Sequence, residues 1–276
     1  MRKRLEGKKA LVTGAGKQTG IGFAIAKKLA NEGAQVAIAD LIKPLEEFVG
    51  YVRTSGGSDL EQSVAALREM GATAEGFGVD ITNTDSVNEM AKSLEKSFGS
   101  LDILVNNAGG APGTSTLQAM EERAWLHNFD LNVHGAWRVM RAVNHMFNDG
   151  GSIINMSSRA GKVPSAFLGG YCSSKAALNM MTKVAALELG MRKIRVNSIC
   201  PGQINTELGR WGWKLKAAAE GLEEEEFHKV LAQRIPLKRL GLPDDVADLV
   251  VFLASEESSY LTGQAFNITG GQLMEV

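Results

Sequence analysis

Residues 9–40 read KALVTGAGKQTGIGFAIAKKLANEGAQVAIAD. The apolar run Lys9–Val12 enters a glycine-rich segment, Thr13 to Gly22. Apolar residues then recur at helical spacing through Ile25, Ala26, Leu29 and Ala30 until Gly33 ends them. A second apolar run, Gln35–Asp40, follows, so the order is strand, turn, helix, strand. Where such a turn opens a helix, the first amides lack internal acceptors and the helix dipole adds positive potential, which suits a phosphate. Gly14, Gly20 and Gly22 fit a tight turn, close approach of a pyrophosphate, and close helix–strand packing. Asp40 ends the second strand, where a dinucleotide-binding unit carries the acid that takes the ribose hydroxyls. A carboxylate there repels a 2′-phosphate and favours NAD over NADP. Lys17, a cation in the turn, argues the other way. An ordinary strand-end turn is the plainer reading of Asp40.

The alternation continues outward. Further strands are predicted at TAEGFGVD (73–80), LDILVNNAG (101–109), GSIINMSS (151–158), IRVNSICPG (194–202) and Ala265–Ile268. Helical patterns cover Leu60–Met70, Asn83–Phe98, Glu121–Phe147, Tyr171–Gly190 and Asp244–Ala254. Seven strands alternating with helices predict an α/β protein, a Rossmann-type doubly wound parallel sheet covered on both faces. No composition shift marks a seam, so residues 1–276 are read as a single domain, with a variable region at 203–239. Hydrophobic residues make up 44% and charged residues 22%, enough for a large core. A net charge of −1 provides no long-range field to draw in nucleic acid or an anionic membrane. The basic start MRKRLEGKK precedes an apolar run too short and glycine-broken for a signal peptide, and no stretch approaches a membrane span. Cys172 and Cys200 form no disulfide framework, and a cytoplasmic protein is expected. His127, His134, His145 and His228 lack metal-ligand spacing, so no metal is expected. The acidic run Glu223–Glu226 reads as a solvated helix face.

Chemistry concentrates in Asn155–Ala177, NMSSRAGKVPSAFLGGYCSSKAA. Tyr171 and Lys175 stand four residues apart at the head of a helix and so share a face. A free phenol titrates near 10; an adjacent cation favours its phenolate, making the pair a candidate general acid/base. Ser158, at the end of the preceding strand, is free to hydrogen-bond the oxygen that gains or loses the proton. A lone Y-x-x-x-K is a weak signal; its setting gives it weight.

With TGAGKQTGIG, Asp40, Asp80, NNAG (106–109), Asn132, Ser158, Tyr171-x-x-x-Lys175 and PGQINT (201–206) in this order, the chain resembles the short-chain dehydrogenase/reductase family in its single-domain form, from Lys8 to Gly271. The resemblance implies that Tyr171 is the general acid/base, that Lys175 lowers its pKa and holds the nicotinamide ribose, and that Ser158 orients the substrate oxygen. Asn132 would hold a water relaying protons from Lys175. The cofactor would meet Gly14, Lys17, Thr19, Gly20, Ile21 and Gly22 at its phosphates. Asp40 and Leu41 would meet the adenosine ribose, Asp80 and Ile81 the adenine, and Asn107 and Gly109 would line the channel. Pro201, Gly202, Ile204 and Thr206 would lie at the nicotinamide, with Ile204 and Thr206 on its carboxamide.

Two features depart from the family pattern. The glycine turn has two extra residues between Gly14 and the GIG triplet, which leaves open which amides meet the pyrophosphate. An insertion at 43–59 follows the second strand and is similar to that of members related to carveol dehydrogenase, which bury NAD so that it exchanges poorly. A neutral surface insertion is the alternative.

Specificity in this family lies in the loop after Ser158 and in the region after the sixth strand. Arg159, Phe167, Leu168, Trp211 and Trp213 are therefore the substrate candidates, and their aromatic and aliphatic character points to a cyclic or apolar body. Packing of a lid or subunit contact by the two tryptophans, and a surface salt bridge for Arg159, are the plainer readings. The resemblance also implies a homotetramer, or failing that a dimer, paired through the 121–147 helix and the Tyr171 helix. The expected activity is NAD-dependent interconversion of a secondary alcohol and a ketone. A 3-oxoacyl thioester reductase is the alternative, and a dinucleotide-binding sensor or scaffold the non-enzymatic one.

Overall fold

The computed structural model describes residues 3–42 and 57–275, with backbone alone at 208, 211, 215, 216 and 218–220. Seven strands form one sheet in which every pair is parallel: β1 (Lys9–Thr13), β2 (Gln35–Asp40), β3 (Ala74–Gly78), β4 (Leu101–Asn106), β5 (Phe147–Met156), β6 (Arg195–Pro201) and β7 (Ala265–Ile268). Their spatial order is β3-β2-β1-β4-β5-β6-β7. The order reverses between β1 and β4, which opens a crevice at the carboxyl ends of those strands.

Because strand side chains alternate, each strand feeds two cores. Ala10, Val12, Val36 and Ile38 pack under α1 (Ile21–Asn31), α2 (Gly57–Glu69) and α9 (Pro243–Ala254). Leu11, Ala37, Ala39 and Leu104 pack under α3 (Thr84–Phe98), α5 (Gly135–Val143) and α6 (Gly169–Leu189). Helix α3 begins on an Asn83 cap whose side chain accepts from the Ser86 amide at 3.0 Å. A third small core joins α7 (Glu207–Glu220) to α8 (Glu224–Gln233) through Trp213, Ala217, Phe227 and Leu231, forming a lid beside the crevice. The acidic run opens α8.

Two expectations are corrected. The 121–147 stretch is not one helix: α4 (Glu122–Phe129) passes into a π-turn at Asp130–His134, then α5, then a 3-10 turn at Asn144–Met146. Phe147 already belongs to β5, paired with Leu101 and buried, and the strand reaches Ser152 through a register shift across a segment that holds Gly150, whose φ is +84°. Helix α2 starts at Gly57, inside the predicted insertion; residues 43–56 of that insertion lie outside the described residues. Among the described residues no helix is long and apolar enough to cross a membrane, and no group of three or more His, Cys, Asp or Glu side chains is placed to hold a metal.

Candidate active site

The glycine turn is stapled to β4 at the switch point. The Asn107 amide side chain donates to the carbonyls of Thr13 (3.0 Å) and Gly14 (2.9 Å), while the Thr13 hydroxyl accepts from the backbone amides of Asn107 and Ala108, both at 3.1 Å. A side chain on Gly14, whose φ is +68°, would come within 2.7 Å of the Ala108 Cα. One on Gly22 would strike the Gly14 carbonyl. These two glycines are thus required by close packing of the turn, α1 and β4. Helix α1 is capped by Gly20, with no side-chain hydrogen bond and no acid in its first turn. Among the described residues its leading amides have no side-chain acceptor, and such a terminus fits a pyrophosphate.

The two extra turn residues are held from both sides. From α2, the Ser63 hydroxyl donates to the Gly16 carbonyl at 2.7 Å, and the Gln18 side chain donates to the Gln62 carbonyl at 3.3 Å. From the lid, Glu207 pairs with Lys17 at 3.0 Å. Lys17 is therefore directed to α7, and Thr19 is exposed between the two tethers. Gly16, Lys17, Gln18, Thr19, Asp59, Gln62 and Glu207 enclose a small cavity there. Asp40 accepts from the Gly16 amide (2.7 Å) and the Leu41 amide (2.8 Å), which fixes its carboxylate at the mouth of the turn. Neither Ser63 nor Glu207 was expected from the sequence; each lies far along the chain from the turn it braces.

Asp80 accepts from both the amide and the hydroxyl of Thr82, and Ile81 is buried against Gly135. Deeper in the crevice, the π-turn aims the Asn132 side chain at Gly110, whose amide donates to it (3.0 Å) and whose carbonyl accepts from it (2.8 Å). Asn132 also donates to the Ser174 hydroxyl on α6 at 3.1 Å. Its side chain thus ties the loop that follows β4 to α6. A Cβ on Gly109 would lie 2.7 Å from the Asn132 Oδ1 and 3.1 Å from the Lys175 Nζ, so these three residues meet.

Ser158, Tyr171 and Lys175 converge at the head of α6. The Ser158 hydroxyl lies near enough to the Tyr171 phenol to oppose the upward push of burial on its pKa, and it accepts from the Ala160 amide at 3.1 Å. The Lys175 Nζ donates to the Met156 carbonyl at 2.8 Å and lies 5.7 Å from the centre of the Tyr171 ring. The expected lowering of the phenol's pKa by the lysine is not what this geometry gives. Burial pushes the Tyr171 phenol up, with the Ser158 hydrogen bond opposing, and burial lowers Lys175 itself to about 8. At neutral pH the lysine still carries its charge, and it sheds its proton before the phenol does as the pH rises.

Around the mouth, Phe167 is exposed at φ +67°, and its carbonyl accepts from the Ser115 amide at 3.1 Å; Leu168 forms an isolated bridge with Ser115. Arg159 is half-buried, and no ion pair involves it among the described residues. Trp213 is buried in the lid core, edge-on to His228, and donates to the Gln203 side chain at 2.8 Å. The Trp211 side chain lies outside the described atoms. Ile204 is buried beside Gly241, and the Thr206 hydroxyl accepts from the Gly209 amide as α7 begins. Gly202 packs against Thr269, and its amide donates to the Ile268 carbonyl; Pro201 ends β6 beside it.

A family model described as enoyl-(acyl carrier protein) reductase matches residues 14–272. The chain belongs to the short-chain dehydrogenase/reductase family. Galactitol 2-dehydrogenase of Agrobacterium fabrum is 35% identical over 98% of this chain and 99% of its own length. The 3-oxoacyl-(acyl-carrier-protein) reductase of Thermotoga maritima is also 35% identical, over 97% of this chain and 98% of its own. Among solved structures, carveol dehydrogenase of Mycobacterium avium in complex with NAD superimposes with a TM-score of 0.91 at 27% identity, covering 99% of both chains. L-sorbose reductase of Gluconobacter frateurii, complexed with NADPH and L-sorbose, gives 0.88 at 30% identity over the full length of both. As a member of this family the chain is an oxidoreductase that binds a nicotinamide dinucleotide.

Proposed function

We propose that this short-chain dehydrogenase/reductase interconverts a secondary alcohol and a ketone with NAD as the preferred cofactor. The observation that carries the reading is the convergence of Ser158 and Tyr171 beside the buried Lys175 at the head of α6, in a crevice whose far end presents a fixed carboxylate, Asp40. When bound, the nicotinamide supplies or accepts the hydride. The residues present fit it: the Gly20-capped helix takes the pyrophosphate, Asp40 the ribose hydroxyls, and Lys175 the ribose next to the reacting ring. Ser158 donates to the substrate oxygen and holds it against Tyr171. In reduction the Tyr171 hydroxyl gives its proton to the carbonyl oxygen; in oxidation the phenolate takes it back. A phenol pushed up by burial is protonated at neutral pH, which suits the reductive direction.

For the substrate we favour a cyclic or apolar alcohol. Support comes from the exposed Phe167 at the mouth and the close superposition on a carveol dehydrogenase. A 3-oxoacyl thioester reductase is the second reading, favoured by the 35% identity to such an enzyme, and a polyol by the galactitol dehydrogenase relative. We further propose a homotetramer. Met180, Val184, Leu187 and Met191 form an exposed apolar stripe along α6, spaced as i, i+4, i+7 and i+11, with Trp137 of α5 also exposed. Two unpaired cysteines suit a reducing compartment such as the cytoplasm.

The test is absorbance of the reduced nicotinamide with cyclic alcohols, polyols and a 3-oxoacyl thioester, for wild type and Tyr171→Phe. The variant should bind NADH yet lose at least about a hundredfold in kcat. Full activity in Tyr171→Phe overturns the assignment of the phenol, and exclusive turnover of the thioester with NADPH transfers the case to the second reading.

A further inference from the structure

The face of α6 that meets the sheet mixes apolar residues, Leu178, Ala185 and Ala186, with a row of polar ones. At about 100° per residue, Tyr171, Ser174, Lys175, Asn179 and Thr182 fall within an arc of about 140°. Ser174, Lys175, Asn179 and Thr182 are all buried, and each is bonded outside its own helix. Thr182 accepts from the Asn155 side chain on β5 at 2.9 Å, and Asn155 in turn accepts from Asn106 on β4, also at 2.9 Å. The Thr182 hydroxyl donates back to the Leu178 carbonyl at 2.8 Å, so both of its roles are used. Asn179 accepts from the Ser198 hydroxyl on β6 at 3.0 Å and donates, at 3.4 Å, to the carbonyl of Gly161 in the turn that follows Ser158. Nearer the reacting end, the Ser157 hydroxyl donates to the Lys175 carbonyl at 3.1 Å, and a Cβ on Gly161 would press to 2.8 Å from the backbone of Lys175.

Apolar packing alone tolerates small slides of a helix along a sheet. Hydrogen bonds are directional, and one broken inside the core leaves a buried polar group without a partner. Two strands reach α6 through side-chain bonds below the reacting groups, β5 at Thr182 and β6 at Asn179, with β4 behind them through Asn106 and Asn155, so sliding or rotating the helix breaks several at once. We propose that Thr182 and Asn179 are positioning residues that set the register of α6 on β5 and β6, and with it the placement of Tyr171 against Ser158. Neither touches substrate or cofactor; both act through the helix. The inference rests on the proposed role of Tyr171, and its test is chosen to give a result without turnover.

The chain has three tyrosines, Tyr51, Tyr171 and Tyr260. With Tyr51→Phe and Tyr260→Phe as background, the phenolate absorbance reports Tyr171 alone. Thr182→Val keeps the shape of the side chain and removes the hydroxyl; Thr182→Ser keeps the hydroxyl. The Ser158 hydrogen bond is what opposes the upward push of burial on this phenol. Loss of register should therefore raise the Tyr171 midpoint by about half a pH unit or more in Thr182→Val, and leave it unchanged in Thr182→Ser. In turnover, Thr182→Val should lose about tenfold in kcat with a larger primary deuterium isotope effect on hydride transfer and little change in KM for NAD, and Thr182→Ser should restore all three. A merely structural role would lower the unfolding temperature and leave the midpoint and isotope effect where they were; that result in folded Thr182→Val overturns the proposal. Should Thr182→Val fail to fold, Ser198→Ala, which removes one bond to Asn179, is held to the same midpoint criterion. If wild type turns over no alcohol, the functional reading fails, and the phenol titration still decides this inference.

Discussion

Replacing Lys175 with methionine tests the electrostatics of the site through stability. Lys175 is 4% exposed, and burial lowers its pKa from 10.5 to about 8. Between those values the unfolded chain holds a proton that the folded chain has released, so folding stability rises with pH across that window. Below pH 8 both states carry the charge and the full penalty of burying the ammonium applies. The gap between 10.5 and about 8 corresponds to about 3 kcal/mol. Methionine has no proton to exchange, and its loss of the bond to the Met156 carbonyl is a constant cost, independent of pH. The diagnostic quantity is thus the difference in unfolding free energy between variant and wild type. It should shift in favour of wild type by about 3 kcal/mol from pH 7 to pH 10.5. Urea unfolding followed by tryptophan fluorescence, at one protein concentration throughout, measures it. A difference that stays flat across that range refutes the reasoning and would mean that the folded protein solvates the ammonium as well as water does.

The remaining predictions concern cofactor, direction, lid and assembly. Asp40→Asn removes the charge and should lower the ratio of kcat/KM for NAD over NADP by about tenfold or more, measured with both cofactors on one alcohol. Because the Tyr171 phenol is pushed up, alcohol oxidation should climb with pH well above neutrality while ketone reduction holds level and then falls; an oxidation profile flat above pH 7 contradicts this. Trp213→Ala empties the lid core at a cost of about 3–5 kcal/mol, which should appear as faster amide exchange confined to 207–233, with the sheet unchanged. Leu187→Glu, on a residue 84% exposed, should leave the monomer folded and reduce the assembled mass by native mass spectrometry; an unchanged assembly removes the α6 stripe from the interface.

Much of the fold was legible because local signals agreed with the global answer. Glycines 14, 20 and 22 announced the first turn, and Ala265–Ile268 was read to the residue as the last strand. Tyr171 and Lys175 were named from spacing, Ser158 from its place at the strand end and Asn132 from the family resemblance, and the chain brings them to one crevice. The misread parts depend on partners distant in sequence. Helical spacing continues through Phe147, and only pairing with Leu101 makes that residue a strand. The tethers of the turn, Ser63 and Glu207, lie 47 and 190 residues from the groups they bond. The shift of Lys175 to about 8 comes from burial, a property of the packed core that no i, i+4 spacing contains.

Helix α6 shows how the most visible signal in a sequence points the wrong way. Its apolar stripe, Met180, Val184, Leu187 and, just past its end, Met191, would by hydrophobicity alone be turned to the sheet. In the folded chain that stripe faces outward, and the polar residues on the opposite side, Ser174, Lys175, Asn179 and Thr182, are the buried ones. The inversion is stable because Asn132 of the π-turn, Met156 and Asn155 of β5 and Ser198 of β6 supply a partner for each polar group, and because Leu178, Ala185 and Ala186 on the same helix still reach the core. It is also what the chemistry demands. A proton-transferring phenol needs a lysine and a serine within reach of its oxygen, and these must sit on the sheet side, where the strand ends deliver Ser158 and the glycine turn. Once the reacting face turns inward, the apolar stripe is left exposed, which is where the proposed assembly would bury it. Under that proposal one helix ties the geometry of the candidate site to assembly, so Leu187→Glu is expected to disturb turnover as well as mass.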